Sequence, residues 1–212
     1  HDEVNYPYDD AMLRSEDVFS LYLLDGGAFL FLQDYLGNTS GKAVLQSFRR
    51  GELLRPWMVS NELKWDHAYD STVGSQCITA MEQHVWLNRL YFLLPIAHEY
   101  FVSGDEDLAE AWYRYLMSWN QCHPYRADAR CQNEMKRCWS DMQVTWRLLV
   151  LMHSVKMLGE SRYLGKNEWA CIYDNIKTHS IHVLEETSSS FQEGTGHGNH
   201  YLQKAVALLF CG

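Results

Sequence analysis

Apolar residues recur along this chain at helical spacing almost throughout, and strand-like alternation is scarce. Residues 78–102 read as one long apolar-rich helix through Trp86, Leu90, Leu93, Leu94 and Tyr100, bent at Pro95, whose ring removes an amide donor. Ser103-Gly104-Asp105 is a turn, and Asp105 is placed to cap the helix that follows. There Leu108, Trp112, Tyr115, Leu116 and Trp119 fall on one apolar face, and Pro124 ends it. Met142, Trp146, Leu149, Val150, His153 and Met157 repeat the spacing up to Gly159, a residue suited to a helix C-terminus. Another helix is expected over 167–187, then a Ser188-Ser189-Ser190 loop. The last helix starts near 199 and ends in the apolar run Ala205-Val206-Ala207-Leu208-Leu209-Phe210. Residues 1–75 read as two or three shorter helices plus a loop.

Antiparallel helices joined by short turns predict an all-α fold of stacked hairpins, as in an (α/α) toroid or a helical repeat. No fixed-period repeat runs through the sequence, which disfavours the repeat. The 212 residues fit one domain. Within it, residues 1–61 are the shorter helices and loops, and residues 62–212 the helical core. The chain stops directly after an almost wholly apolar helix, which wants partners on several sides. The expectation is an incomplete toroid belonging to a larger protein.

Charge narrows the function. The formal net charge is −9, whereas nucleic-acid binders carry a basic stripe, so nucleic acid is not an expected partner. A polyanion would need a local positive pocket on an acidic body. No apolar run reaches the ~18 residues of a membrane span. The polar opening His1-Asp2-Glu3 shows no signal peptide. Six cysteines (Cys77, Cys122, Cys131, Cys138, Cys171, Cys211) form neither a CxxC pair nor zinc-ribbon spacing, and unpaired thiols are expected. Aromatics make up 14% of residues, mostly as core, with some available as stacking platforms for sugar rings.

The most unusual segment is Gly194-Thr195-Gly196-His197-Gly198-Asn199-His200-Tyr201-Leu202. Alternate glycines free the backbone and allow close approach to a ligand. The following helix start offers unpaired N–H groups and a partial positive charge, a seat for a carboxylate or sulfate. Asn199 and His200 add two donors there, with Gln203 one turn above them. The bland alternative is an N-cap Asn beside a surface His. His197 and His200 also have H-x-x-H spacing, but no carboxylate nearby completes a metal set.

Other candidates lie upstream. Trp139, Gln143 and Arg147 fall at i, i+4 and i+8 of one expected helix, with Arg147 suited to bidentate contact with an anion or to pairing a Glu on the next helix. Asn88 and Arg89 are polar within an apolar helix, so they either cross-brace neighbouring helices or face a cleft. Trp65 and His67 lie in an expected loop, where ligand residues are common. His179 and His182 share H-x-x-H spacing and read as surface or inter-helix hydrogen-bonding residues. His84, His98 and His153 read as core or boundary residues. No GxSxG, P-loop or GxGxxG motif is present.

Four of these segments, in order, resemble the N-terminal helical domain of the heparinase II/III family of polysaccharide lyases. Trp86-Leu87-Asn88-Arg89 is similar to its W-x-L-N-R segment. Ala97-His98-Glu99-Tyr100 through Ser103-Gly104-Asp105-Glu106 to Trp119 is similar to the next hairpin. Trp139, Gln143 and Arg147 are similar to its W-x3-E-x3-R helix, with Gln in place of Glu. Gly198-Asn199-His200-Tyr201-Leu202 is similar to its G-N-H-L segment. The likeness runs from about residue 62 to the end.

The resemblance implies a toroid joined to a C-terminal antiparallel β-sandwich, with substrate between them. It implies β-elimination on a uronic-acid polymer, a heparan-sulfate-like glycosaminoglycan or an oligoalginate. Asn199 and His200 match the carboxylate-neutralising positions, and Gln203 a sugar contact. The family's tyrosine acid/base and its histidine partner would lie beyond Gly212, so residues 1–212 alone are expected to be inactive. No cofactor is expected in this chain, although some relatives hold a metal in the sandwich. The location implied is periplasmic or secreted. Two rivals stand beside the lyase. A toroid glycoside hydrolase would need paired carboxylates, for which Asp66, Asp70 and Asp141 are available without a convincing mate. A helical carbohydrate-binding module would need no chemistry at all.

Overall fold

The computed structural model describes residues 41–65, 87–125, 138–139, 141–192 and 198–211. Six helices carry the described residues: α1 (Gly41–Arg49), α2 (Leu93–Ser103), α3 (Glu106–Cys122), α4 (Asp141–Leu158), α5 (Lys166–Gln192) and α6 (Asn199–Cys211). A 3-10 turn (Arg55–Trp57) and a minimal antiparallel hairpin of β1 (Met58–Val59) and β2 (Glu62–Leu63) follow α1. Of the short helices expected before residue 75, residues 41–65 hold one helix and a hairpin, and residues 1–40 and 66–75 lie outside the described residues. The hairpin turns through Ser60 and Asn61, both at positive φ.

The helix expected over 78–102 is not continuous. Residues 88–92 form a turn, with Leu90 at φ 58, and α2 starts at Leu93. Pro95 therefore sits in the first turn of α2, where the missing N–H has no intrahelical partner to lose, and it bends nothing. Residues 78–86, with Trp86 and His84, lie outside the described residues. Gly104 closes α2 in the left-handed conformation, its N–H bonded to the Tyr100 carbonyl. Asp105 caps α3 by accepting from the Asp107 N–H at 3.2 Å, as its position in the sequence predicts.

Helix α4 is the centre of the bundle, packing against α2, α5 and α6. Val144, Leu148, Leu149, Val150, Leu151, Met157 and Leu158 are buried around its circumference, along with polar Thr145, Arg147, His153 and Ser154. The one-sided stripe read from the sequence is therefore one flank of an all-round core helix. The expected Ser188–Ser190 loop is helical. Thr187, Ser188 and Ser189 turn their hydroxyls back onto the carbonyls of Val183, Leu184 and Glu185, which removes the local competition that makes serine runs look like loops.

Helix α5 runs antiparallel to both α4 and α6. Arg147 meets His179, while Lys204 meets Glu186 and Cys211 lies beside Ser180. Helices α4 and α6 are therefore parallel, and His153 packs edge-on against Phe210 at 5.2 Å. With equal rise per residue, this contact brings the first turn of α6 to the N-terminal end of α4, the end that carries Gln143. Among the described residues, no helix is long and apolar enough to cross a membrane.

Candidate functional site

At the middle of the bundle lies a guanidinium. Arg147 is fully buried, and burial pushes its pKa down to about 9, which leaves it charged at neutral pH. No carboxylate among the described residues pairs with it. Its Nε donates to His179 Nε2 at 2.7 Å, Nη1 to the Asn88 carbonyl at 2.5 Å, and Nη2 to the Cys138 carbonyl at 2.8 Å. The Trp119 and Trp139 rings stand 3.9 and 5.0 Å from its central carbon, giving the cation two π faces. His179 must be neutral to accept this bond, and its Nδ1–H donates to the Asn175 carbonyl at 2.7 Å. Burial first, and then the Arg147 charge, hold the His179 pKa well below its ordinary value.

This arrangement answers several alternatives left open by the sequence. Asn88 is buried and cross-braces. Its Oδ1 accepts from Trp119 Nε1 at 2.8 Å, while its carbonyl takes Arg147. Arg147 pairs with His179 on α5, not with a Glu. Trp139 lies before α4 rather than on it, and its Nε1 donates to the His123 carbonyl at 2.9 Å. His182 bonds the Trp139 carbonyl, so the 179/182 pair serves inter-helix bonding as expected. Trp65 is 1% exposed, donates to Ser118 Oγ at 3.1 Å and stacks on Phe92, so it is a core side chain rather than a loop platform.

Outside this hub lies a half-exposed layer. Arg89 is half-buried, and its Nε donates to Gln143 Oε1 at 2.8 Å. Its guanidinium stands 5.9 Å from the Tyr91 ring, which in turn meets Trp146 edge-on at 5.9 Å. Burial raises the Tyr91 pKa despite the nearby Arg89 charge. Trp146 is half-buried and lies two turns before His153, on the side of α4 that faces α6. Neither Tyr91 nor Trp146 was singled out from the sequence as a site candidate: Trp146 reads there as core periodicity, and Tyr91 falls in the segment expected to be one long helix.

The glycine corner stands at the same end of α4. Gly198 has φ +100 and its carbonyl accepts the first bond of α6, from the Leu202 N–H at 3.3 Å. Gly198 is thus the N-cap position, Asn199 is the first helical residue, and His200 is exposed in the same turn. Of the bland reading, Asn199 as the N-cap gives way, since glycine holds that place, while the surface His agrees with the exposed His200. Helices α3 and α5 begin with acids, Glu106 and Asp107 in one and Glu168 in the other, whereas α6, like α1 and α2, has no acidic residue in its first turn. Gln203, one turn on, is half-buried. Residues 194–197 and His67, Asp66 and Asp70 lie outside the described residues, as does the side chain of Asp141. Among the described residues, no group of three or more His, Cys, Asp or Glu is placed to hold a metal.

The four segments singled out from the sequence thus have two places. Asn88, Trp119, Trp139 and Arg147 interlock in the interior, and Arg89, Gln143 and the Gly198–His200 corner lie toward the N-terminal end of α4. No curated protein and no solved structure matches the chain. The family described as "Heparinase II/III N-terminus" matches over residues 32–212. With most of its length covered by that match, the chain belongs to the heparinase II/III family and carries its N-terminal domain.

Proposed function

We propose that this domain serves a polysaccharide lyase that cleaves a uronic-acid-containing glycosaminoglycan by β-elimination. Its Gly198-Asn199-His200 corner neutralises the uronate carboxylate. In this reaction a base takes the proton on C5, the electron pair forms the C4–C5 double bond, and the C4–O4 bond breaks with protonation of the leaving oxygen. The C5 proton is weakly acidic because charge must develop on the neighbouring carboxylate. Donors aimed at that group stabilise the transition state, and one such donor is worth about 3 kcal/mol. The helical domain would be part of a toroid, and the group that takes the proton would come from elsewhere in the intact protein.

The observation that carries this reading is the turn at Gly198. A backbone at φ +100 leads directly into a 13-residue helix whose first turn has no acid and exposes His200. Such a start presents unpaired N–H groups and the positive end of the helix dipole. Asn199 adds a neutral donor type to that turn. The Arg89–Gln143 pair extends the polar layer toward the rest of the sugar chain, and Gln203 offers a further contact.

Among substrates, the net charge of −9 supports weakly sulfated or unsulfated uronate polymers, oligoalginate included, alongside heparan sulfate. The test is a panel of uronic-acid polymers incubated with the intact protein and followed at the absorbance of the unsaturated product. A rise with at least one polymer is expected. Hydrated rather than unsaturated products would move the protein to the hydrolases.

A further inference from the structure

Helix α6 contains one Lys and no Arg, Asp or Glu in thirteen residues. Lys204 is 6% exposed, and its Nζ lies 3.0 Å from Glu186 Oε2 on α5. Around this pair the α6 contact surface is mostly apolar, with Ala207 fully buried and Leu208 and Phe210 packed against the core, and Cys211 lies beside Ser180 near its C-terminal end. An apolar helix can rotate or slide on an apolar surface at little cost, because hydrophobic contact is non-directional. A buried lysine held by a half-buried carboxylate resists such motion, since separating the two leaves a desolvated ammonium alone. Buried pairs of this kind add little to net stability, and their best-attested use is to fix register. Lys204 lies one helical turn above His200, on the same side of α6.

We propose that Lys204, through Glu186, is a positioning residue that sets the rotation and height of α6 and so aims the Asn199–His200 turn. For its catalytic consequence this rests on the corner acting as the carboxylate neutraliser. The geometric part stands without it. Lys204 touches no reacting atom. Its role is to stop the first turn of α6 from swivelling when the substrate's negative charge arrives.

The test compares Lys204→Met, Lys204→Arg and the exchanged pair Lys204→Glu with Glu186→Lys in the intact protein. Amide hydrogen exchange over residues 202–206, whose N–H groups bond back onto the first turn of α6, is the first readout, with kcat and KM on a uronate polymer the second. Lys204→Met is expected to speed exchange there at least 10-fold and to lower kcat about 10-fold with KM changed less. Lys204→Arg is expected to restore both, and the exchanged pair to restore them in part. Unchanged exchange at 202–206 in Lys204→Met overturns the proposal whether or not the protein is a lyase. Faster exchange in a protein whose wild type yields no unsaturated product supports the positioning and removes only the lyase reading. If Lys204→Met does not fold, Glu186→Gln carries the same expectations.

Discussion

A buried arginine without a carboxylate is unusual, and Arg147 shows how such a charge is tolerated. Two carbonyls, one imidazole lone pair and two indole faces replace the missing acid, each requiring its neighbour in one place. Arg147→Met would leave those acceptors without their donor, and a loss of about 3–5 kcal/mol in unfolding free energy is expected from urea titration. Arg147→Lys would keep the charge but lose the planar fork, so it should rescue less than half of that. Gly198 makes a contrasting case. Nothing lies within 4 Å of a Cβ placed there, so only the backbone angle resists substitution. Gly198→Ala should cost about 1–3 kcal/mol and misdirect the first turn of α6, which falls more heavily on lyase rate than on the melting temperature.

The link between α4 and α5 depends on an acid from a third element. Glu106, in the first turn of α3, accepts from Ser161 Oγ at 2.7 Å and from the Arg162 and Tyr163 N–H groups at 3.1 Å each. Burial raises its pKa, yet those donors outweigh it and bring the carboxyl down to about 2. Glu106→Gln should loosen residues 161–164, read as faster amide exchange there with the rest of the bundle unchanged.

At this scale the sequence was a good guide wherever one rule acted alone. The Asp105 cap, the Pro124 stop, the Gly159 end and the start of α6 at Asn199 all follow from local chemistry. It failed where tertiary packing overrode local preference. Nothing local in Trp86 through Tyr100 marks the break at Leu90, and the Thr187–Ser189 run stays helical by bonding back to its own carbonyls. The candidate site was legible for the same reason and to the same degree. Glycine spacing exposed the α6 corner, whereas the interior role of Asn88, Trp139 and Arg147 depended on partners distant in sequence.

Across the whole molecule, buried imidazoles tie stability to pH. Burial lowers the His153 pKa to about 3, and that of His179 is lowered as well. A histidine whose folded pKa is depressed binds its proton first in the unfolded chain, so its contribution is complete above about 6.5 and is lost as pH falls toward the folded value. Glu106 acts lower, between its ordinary 4.5 and about 2, again with stability lost as pH falls. Melting temperature should therefore decline steadily below about pH 6.5 and more steeply below about pH 4.5. His153→Leu should flatten the first part, since each such imidazole contributes up to about 1.4 kcal/mol per pH unit.

Carboxylate neutralisation by the Gly198-Asn199-His200 corner is the role on which the proposed elimination depends. Its most direct test is the rate of C4–C5 double-bond absorbance on a uronate polymer, measured for the intact protein and for Asn199→Ala and His200→Ala. Wild-type turnover is expected, with a fall in kcat of about 100-fold or more in each variant and the melting temperature nearly unchanged. Turnover undiminished in both variants, or cleavage without any unsaturated product, would contradict it.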